Sequence, residues 1–367
     1  MISENKKKKG LGALLKYVIP LIISVGLCYL LFTGIDFGEM VSIIRNQCDF
    51  RWIALAMGVS IVSFVCRAFR WRIQLRALGI DPPIRALIYS IFGTYSVNLV
   101  FPRLGEVWRT GYIAQRQHAQ FTTVFGSMVA DRLADTFTVA IMAVIVFFLA
   151  SDAILDFLRA NVESYAAIGN FLSSPWIWGT AMVLVAAVWI FMTRRTTTPW
   201  VVRVQQIIRE LWDGFAVIVR MPRKGQWLLW TLGIWGCFSA QMLICFQAFP
   251  FTRQILAEHG VIAGVVTFVL ASLSMGVPSN GGIGPWQWAV IFALSIYGCG
   301  RSEAAAFANL VLGTQTLMLI VLGIFTFAAI SLDRKKMLAA AKSVKNKLND
   351  IRTTTTNITS KSKWQKS

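Results

Sequence analysis

Arg103, Glu106 and Arg109 stand three residues apart in NLVFPRLGEVWR, Asn98 to Arg109, at the end of the apolar run Ala86 to Phe101. On a helix that spacing puts them on one face. Two guanidiniums about a turn apart, with a carboxylate between to hold their geometry, suit an anionic headgroup, because arginine binds phosphate oxygens bidentately. Asp131, Arg132 and Asp135 follow, ten residues inside the run Phe121 to Ala150. Asp131 and Asp135 share a helix face, and Arg132 is able to pair with one of them or with Glu106. Charges at that depth cost several kcal/mol unless they are paired or face a water-filled cavity, which makes them a site within the membrane. If the helix begins in the cytoplasm and spans only from Leu133, the same charges sit at the interface instead.

Backbone chemistry points to the same neighbourhood. Asn98, Pro102 and Gly105 surround Arg103, and a cytoplasmic loop whose arginines merely enforce topology requires none of the three. PSNGGIGP, Pro278 to Pro285, interrupts a second apolar stretch and is followed by Gln287. Its Asn280, Gly281, Gly282 and Gly284 supply flexible backbone whose N–H and C=O groups can face a substrate. A plain turn between two short spans uses the same residue types. Arg67, Arg70, Trp71 and Arg72 read as snorkelling anchors at the end of a span, and Asn309 and Gln315 as hydrogen-bond partners between helices. His118 and His259 are isolated, and the six cysteines show no metal-ligand spacing, so neither a metal, a cofactor nor a catalytic residue is expected.

The elements that must position these residues are membrane helices. The 367 residues are 56% hydrophobic and only 14% charged, with the apolar residues in long blocks, which identifies an all-α polytopic integral membrane protein. The net charge of +19 sits beside the ends of apolar runs. Positive-inside topology and anionic lipid explain that placement, and no nucleic-acid partner is expected. Residues 1–12 form a basic cytoplasmic amino terminus, 13–332 a single transmembrane domain with halves 13–150 and 175–332, and 333–367 a basic cytoplasmic tail without fixed structure.

Six full spans are expected: an uncleaved first one at Tyr17 to Phe32, then Trp52 to Phe69, Phe121 to Ala150, Trp176 to Met192, Trp227 to Phe249 and Glu303 to Ile330. An interfacial helix, Trp200 to Val219, lies in the basic inner loop. Ala86 to Phe101 is short and carries arginines beyond it, whereas the run after it ends at acidic residues. A re-entrant hairpin over Ala86 to Gln120 satisfies both flanks, and Val261 to Tyr297 reads as a second one from the opposite side. The halves then form an inverted repeat, the plan of many transporters. Eight or so full spans is the alternative.

RAFRWRIQLRALG (Arg67 to Gly79), NLVFPRLGEVWR (Asn98 to Arg109), MVADRLADTF (Met128 to Phe137) and PSNGGIGPWQ (Pro278 to Gln287) lie in this order within residues 13 to 330. They resemble the successive motifs of the lysylphosphatidylglycerol synthase transmembrane-region family, the flippase-like domain of the multiple peptide resistance factor proteins. The resemblance implies a lipid-translocating domain whose polar cluster falls on Asn98, Arg103, Glu106, Arg109, Arg132 and Asp135. Full-length synthases add a soluble aminoacyl-transferase domain that this sequence lacks, so synthesis of lysyl-lipid is not expected of it. Gln287 replaces a glutamate found in many relatives, which removes a carboxylate from that motif.

The expected function is a flippase, not driven by ATP, for an anionic or aminoacylated phospholipid or a polyprenyl-phosphate lipid, in the inner (cytoplasmic) membrane with both termini inside. Its partners would be membrane lipids, a second copy, or lipid- and glycan-synthesis enzymes. The rival readings are a membrane-embedded enzyme with Glu106, Asp131 or Asp135 as general base, and a scaffold subunit of an envelope assembly.

Overall fold

A computed structural model describes residues 37–101, 103–151, 221, 223–277, 279 and 281–364, with isolated positions at 175, 179, 182 and 183; for Phe37 and for 334–364 it describes the backbone alone. The first expected span, the interfacial helix and most of Trp176 to Met192 lie outside the described residues, as do Pro102, Pro278 and Asn280. Everything regular among the described residues is helical. The helices are α1 (Phe37–Gln47), α2 (Phe50–Ala77), α3 (Ile84–Val100), α4 (Leu104–Arg116), α5 (Phe121–Leu149), α6 (Lys224–Phe246), α7 (Pro250–His259), α8 (Val261–Ser274), α9 (Pro285–Ile296) and α10 (Arg301–Trp364).

Four of them, α2, α5, α6 and the part of α10 up to Asp333, are long and apolar enough to cross a bilayer. They coincide with the four expected spans that fall on described residues. The chain is a multi-pass membrane protein, and its exposed surfaces agree. Ile141, Val144, Ile145, Phe147 and Phe148 on α5, and Leu317, Val321, Ile324 and Phe325 on α10, are large apolar side chains facing outward. Such continuous apolar surface belongs against lipid tails.

Three apolar helices are too short to cross alone. At 1.5 Å per residue α3 reaches about 26 Å, α8 about 21 Å and α9 about 18 Å, against a hydrocarbon core of about 30 Å. Beyond Phe101 the chain reverses and α4 runs back along α3, with Gly105 against the Thr94 carbonyl and the Trp108 ring against Gly93. α8 and α9 also pack on each other. α7 and α8 are long enough to cross a bilayer only if taken together, and the chain bends by 112° between them. Gly260, with φ of 70°, makes that corner.

α2 and α6 run antiparallel. The Asp49 N–H before α2 donates to the Ala248 carbonyl after α6 at 2.8 Å, and at the other end Phe69 stacks on Trp230 with centroids 4.8 Å apart. α10 closes the bundle. Ser96 Oγ of α3 donates to the Leu319 carbonyl at 2.7 Å, and Gln315 bridges Gln241 of α6 and Ser60 of α2. The expected interhelical role of Gln315 is therefore what the structure has. Two apolar cores result, one around Phe246, Phe249 and Phe307, the other around Phe64, Trp71, Leu87 and Ile113.

α1 and α7 are helices that no apolar block in the sequence marks, because each is short and amphipathic. The backbone of α10 continues past Leu332 to Trp364. Residues 333–364 contain neither proline nor glycine, so nothing stops the helix.

Gly105 is the contact that sets the distance between α3 and α4. Gly105→Ala drives a methyl into the Thr94 carbonyl and is expected to destabilise the protein by about 1–3 kcal/mol. Gly111→Ala, on the same helix with nothing within 4 Å, should leave stability unchanged or raise it. Thermal midpoints of the two purified variants in detergent check this.

Candidate functional site

The buried charges form one connected network across α2, α4 and α5. Asp131 and Asp135 project from one face of α5, four residues apart, as expected. The partners they meet come chiefly from α2. Arg70 donates through Nε and Nη2 to Asp131 Oδ1 at 3.0 and 2.7 Å, and through Nη2 to Asp135 Oδ1 at 2.7 Å. Arg67 Nη1 pairs with Asp135 Oδ2. Arg109 of α4 reaches Asp131 Oδ2 at 3.4 Å. Arg132 donates to Glu106 Oε1 at 2.8 Å and lies 3.9 Å from Asp135 Oδ2. Of the two partners that sequence allows it, it takes Glu106 closely and Asp135 at the limit.

Asn98 ties this network to the hairpin turn. Its Nδ2 donates to both Glu106 oxygens, at 3.3 and 3.1 Å, and its Oδ1 accepts from the Gly105 N–H at 2.8 Å. Aromatic groups support the arginines. The Arg109 guanidinium lies 4.3 Å from the centroid of the Trp71 ring, and the Trp71 indole N–H donates to Ser127 Oγ at 3.1 Å. A fully buried Arg stacked on a pinned indole keeps one orientation. The side chains of Arg70, Arg109 and Asp131 are inaccessible, whereas Arg132 is 32% and Glu106 16% exposed. The network thus has a closed floor and a mouth at Arg132.

Two sequence readings are corrected. Arg67 and Arg70 are not snorkelling anchors. α2 runs about 42 Å, longer than the membrane core, and its last turns are enclosed by α3, α4 and α5, so both arginines point into protein and are buried. The missed signal was the charge balance of α5. Asp131 and Asp135 need more cation than Arg132 supplies, and besides Arg109 the arginine cluster at the end of α2 can supply it. Arg103 is the second correction. It has φ of 60° and ψ of 5° and lies before the first turn of α4, so helical spacing does not place it beside Glu106 and Arg109. Its exposed guanidinium instead donates from Nη2 to the Gly276 carbonyl at 3.1 Å.

That bond joins the two interrupted elements. A Cβ on Gly281 would stand 2.7 Å from Leu99 Cδ2, so the α3–α4 turn and the α8–α9 turn touch. Gly281, Gly282 and Gly284 have φ of 63°, 89° and 92°, the left-handed region that favours glycine. Gln287 does not face the network. Its Oε1 accepts from the Gly284 N–H at 3.0 Å and its Nε2 donates to Asn309 Oδ1, which ties α9 to α10. Among the described residues no three His, Cys, Asp or Glu side chains group as metal ligands.

A family described as "Lysylphosphatidylglycerol synthase TM region" matches residues 17–323, which takes in the whole network and both turns. The chain belongs to this family. Within the lysylphosphatidylglycerol synthase transmembrane-region family it is similar to a UPF0104 membrane protein of Methanothermobacter thermautotrophicus, at 23% identity over 323 residues, covering 79% of this chain and 88% of that protein. It is also similar to the glycosyltransferase AglD of Haloferax volcanii, at 31% identity over 141 residues, 38% of this chain. That match spans only 22% of AglD.

In this family member the exposed pairs offer a contrast to the network. Asp81 accepts from Arg76 Nε and Nη2 at 2.9 and 3.1 Å, and these bonds, with those from Arg72, hold its carboxyl below the usual range. It is solvated, whereas Asp131 is enclosed. Asp131→Asn leaves Arg70 and Arg109 short of a buried counter-charge and is expected to destabilise by about 3–5 kcal/mol. Asp81→Asn should leave the thermal midpoint where it is, and side-by-side melting of the two variants measures the difference.

Proposed function

We propose that the chain moves a lipid with a phosphate-bearing headgroup between the leaflets of the cytoplasmic membrane, without ATP. The observation that carries this reading is the contact of the two hairpin turns, Leu99 on Gly281 and Arg103 on Gly276, beside a buried ionic network. Helices too short to cross alone, folded back in pairs, support two re-entrant hairpins. The arginines flanking 86–120 favour the inner side for the first, the weakly charged flank of 261–297 favours the outer side for the second, and both termini would then be cytoplasmic. In such an inverted repeat the tips meet near the midplane, and irregular backbone is tolerated there because it lines a polar path. The headgroup crosses along that path while its acyl chains stay in the surrounding bilayer.

Asn98, Arg103, Gly105 and the glycines 281, 282 and 284 shape the contact of the tips, and Glu106, Arg109, Asp131, Arg132 and Asp135 receive the headgroup. The family resemblance leaves anionic phospholipids, aminoacylated phospholipids and polyprenyl phosphates within range. A carrier is favoured over a headgroup-modifying enzyme because Glu106, Asp131 and Asp135 are each held by arginine, and a carboxylate so held is a poor base. Similarity to a protein named a glycosyltransferase supports association with glycan-synthesising enzymes.

The test is reconstitution into liposomes that carry acyl-labelled fluorescent phosphatidylglycerol, with dithionite bleaching the outer leaflet. Wild-type protein should expose the inner pool. Arg103→Ala, which releases the turns, should slow exposure by about tenfold, the kinetic equivalent of one charge-assisted hydrogen bond. Wild-type rates equal to those of empty liposomes or of Arg103→Ala would overturn the mechanism.

A further inference from the structure

We propose that the buried network is an anion site, built to take a phosphate whose headgroup is net negative and to reject zwitterionic and cationic headgroups. The assignment of that phosphate to a lipid rests on the transport reading; the anion site itself does not. Two independent imbalances point the same way. The first is charge. Arg67, Arg70, Arg109 and Arg132 face Glu106, Asp131 and Asp135, so one positive charge is left over in an enclosed site. The second is hydrogen bonding. Arg67 Nε, Arg70 Nη1, Arg109 Nε and Nη1, and Arg132 Nε are buried without a partner, while no carboxylate oxygen of the network is in that condition.

Donors are therefore left over while every carboxylate oxygen already has a partner, which asks for a group rich in acceptor oxygens. Water would satisfy the donors but leave the charge. A phosphate supplies both, since several of its oxygens accept from guanidinium N–H groups. All four guanidiniums come within 4 Å of Asp131 or Asp135, close enough for one phosphate-sized ligand to engage more than one of them. Entry is from the mouth, where Arg132 is 32% exposed and its bond to Glu106 can be exchanged for one to the ligand. A headgroup carrying an added ammonium would bring positive charge to a site that already has too much. This separates anionic phospholipid or polyprenyl phosphate from aminoacylated lipid within the range the family leaves open.

The experiment titrates the purified full chain in detergent at constant ionic strength with short-chain phosphatidylglycerol, its lysyl ester, short-chain phosphatidylcholine and inorganic phosphate, reading the thermal midpoint. Phosphatidylglycerol should bind about tenfold or more tighter than the choline or lysyl lipids, as one charge-assisted contact dictates. Arg132→Gln should abolish that preference and Arg132→Lys should keep part of it, while Arg85→Gln, on the exposed loop side of α3, should change nothing. Equal binding of glycerol and choline headgroups overturns the proposal, even if liposomes show lipid movement. An anion preference that depends on Arg132 supports it, even if no lipid moves and the transport reading fails. Inorganic phosphate binding as tightly as the lipid supports the anion site and overturns the lipid as its source.

Discussion

Burying charge in a medium that cannot solvate it is the constraint on which the rest of this molecule depends. Asp131 and Asp135 sit on a helix whose outer face meets lipid, and neither is tolerable there without close cations. α2 supplies Arg70 to both and Arg67 to Asp135, and α4 supplies Arg109 to Asp131. This requirement explains why α2 extends past membrane length and why its last turns are enclosed. The pairing also fixes where α4 must lie, and thereby the direction in which the chain leaves the turn at Arg103.

The hairpin follows from that placement and from small residues at close contacts. Gly105 lets α4 press on the Thr94 carbonyl, and Gly93 makes room for the Trp108 ring. Asn98 then serves three groups at once, the Gly105 N–H and both oxygens of Glu106, so that backbone leaving one helix is satisfied by a side chain that also orients the next. The second interrupted element is built differently. Its turn uses left-handed glycines and a Gln287 bond that closes the start of α9, with no ionic group. One half of the contact between turns is thus charged and specific, and the other is mainly backbone.

How much of this was legible before the fold was known differs from residue to residue. Asp131, Arg132 and Asp135 were identifiable because a charge inside an apolar run is costly wherever the run packs. Glu106 and Arg109 were identifiable from their position after a short run. Arg67 and Arg70 were not, because a basic cluster at the end of a span looks the same whether it meets headgroups or buried carboxylates. Helical spacing groups Arg103 with Glu106 and Arg109, and the αL conformation of Arg103 at the start of α4 breaks that spacing. α1 and α7 escaped because two or three turns of amphipathic helix leave only a faint pattern in a sequence dominated by long apolar runs.

Length, composition and flanking charge by themselves determined the class of protein, four spans among the described residues, the two interrupted stretches and the residues whose burial demands a partner. These follow from the bilayer, which acts on each segment separately and so can be read one segment at a time. Which arginine answers which carboxylate, the contact of the two turns and the surplus of guanidinium donors were decided only by tertiary structure. Each depends on distances between residues far apart in the chain, as between Arg67 and Asp135 or Arg103 and Gly276. Ionic pairing weakens so steeply once water or separation intervenes that no spacing along one segment can stand in for it.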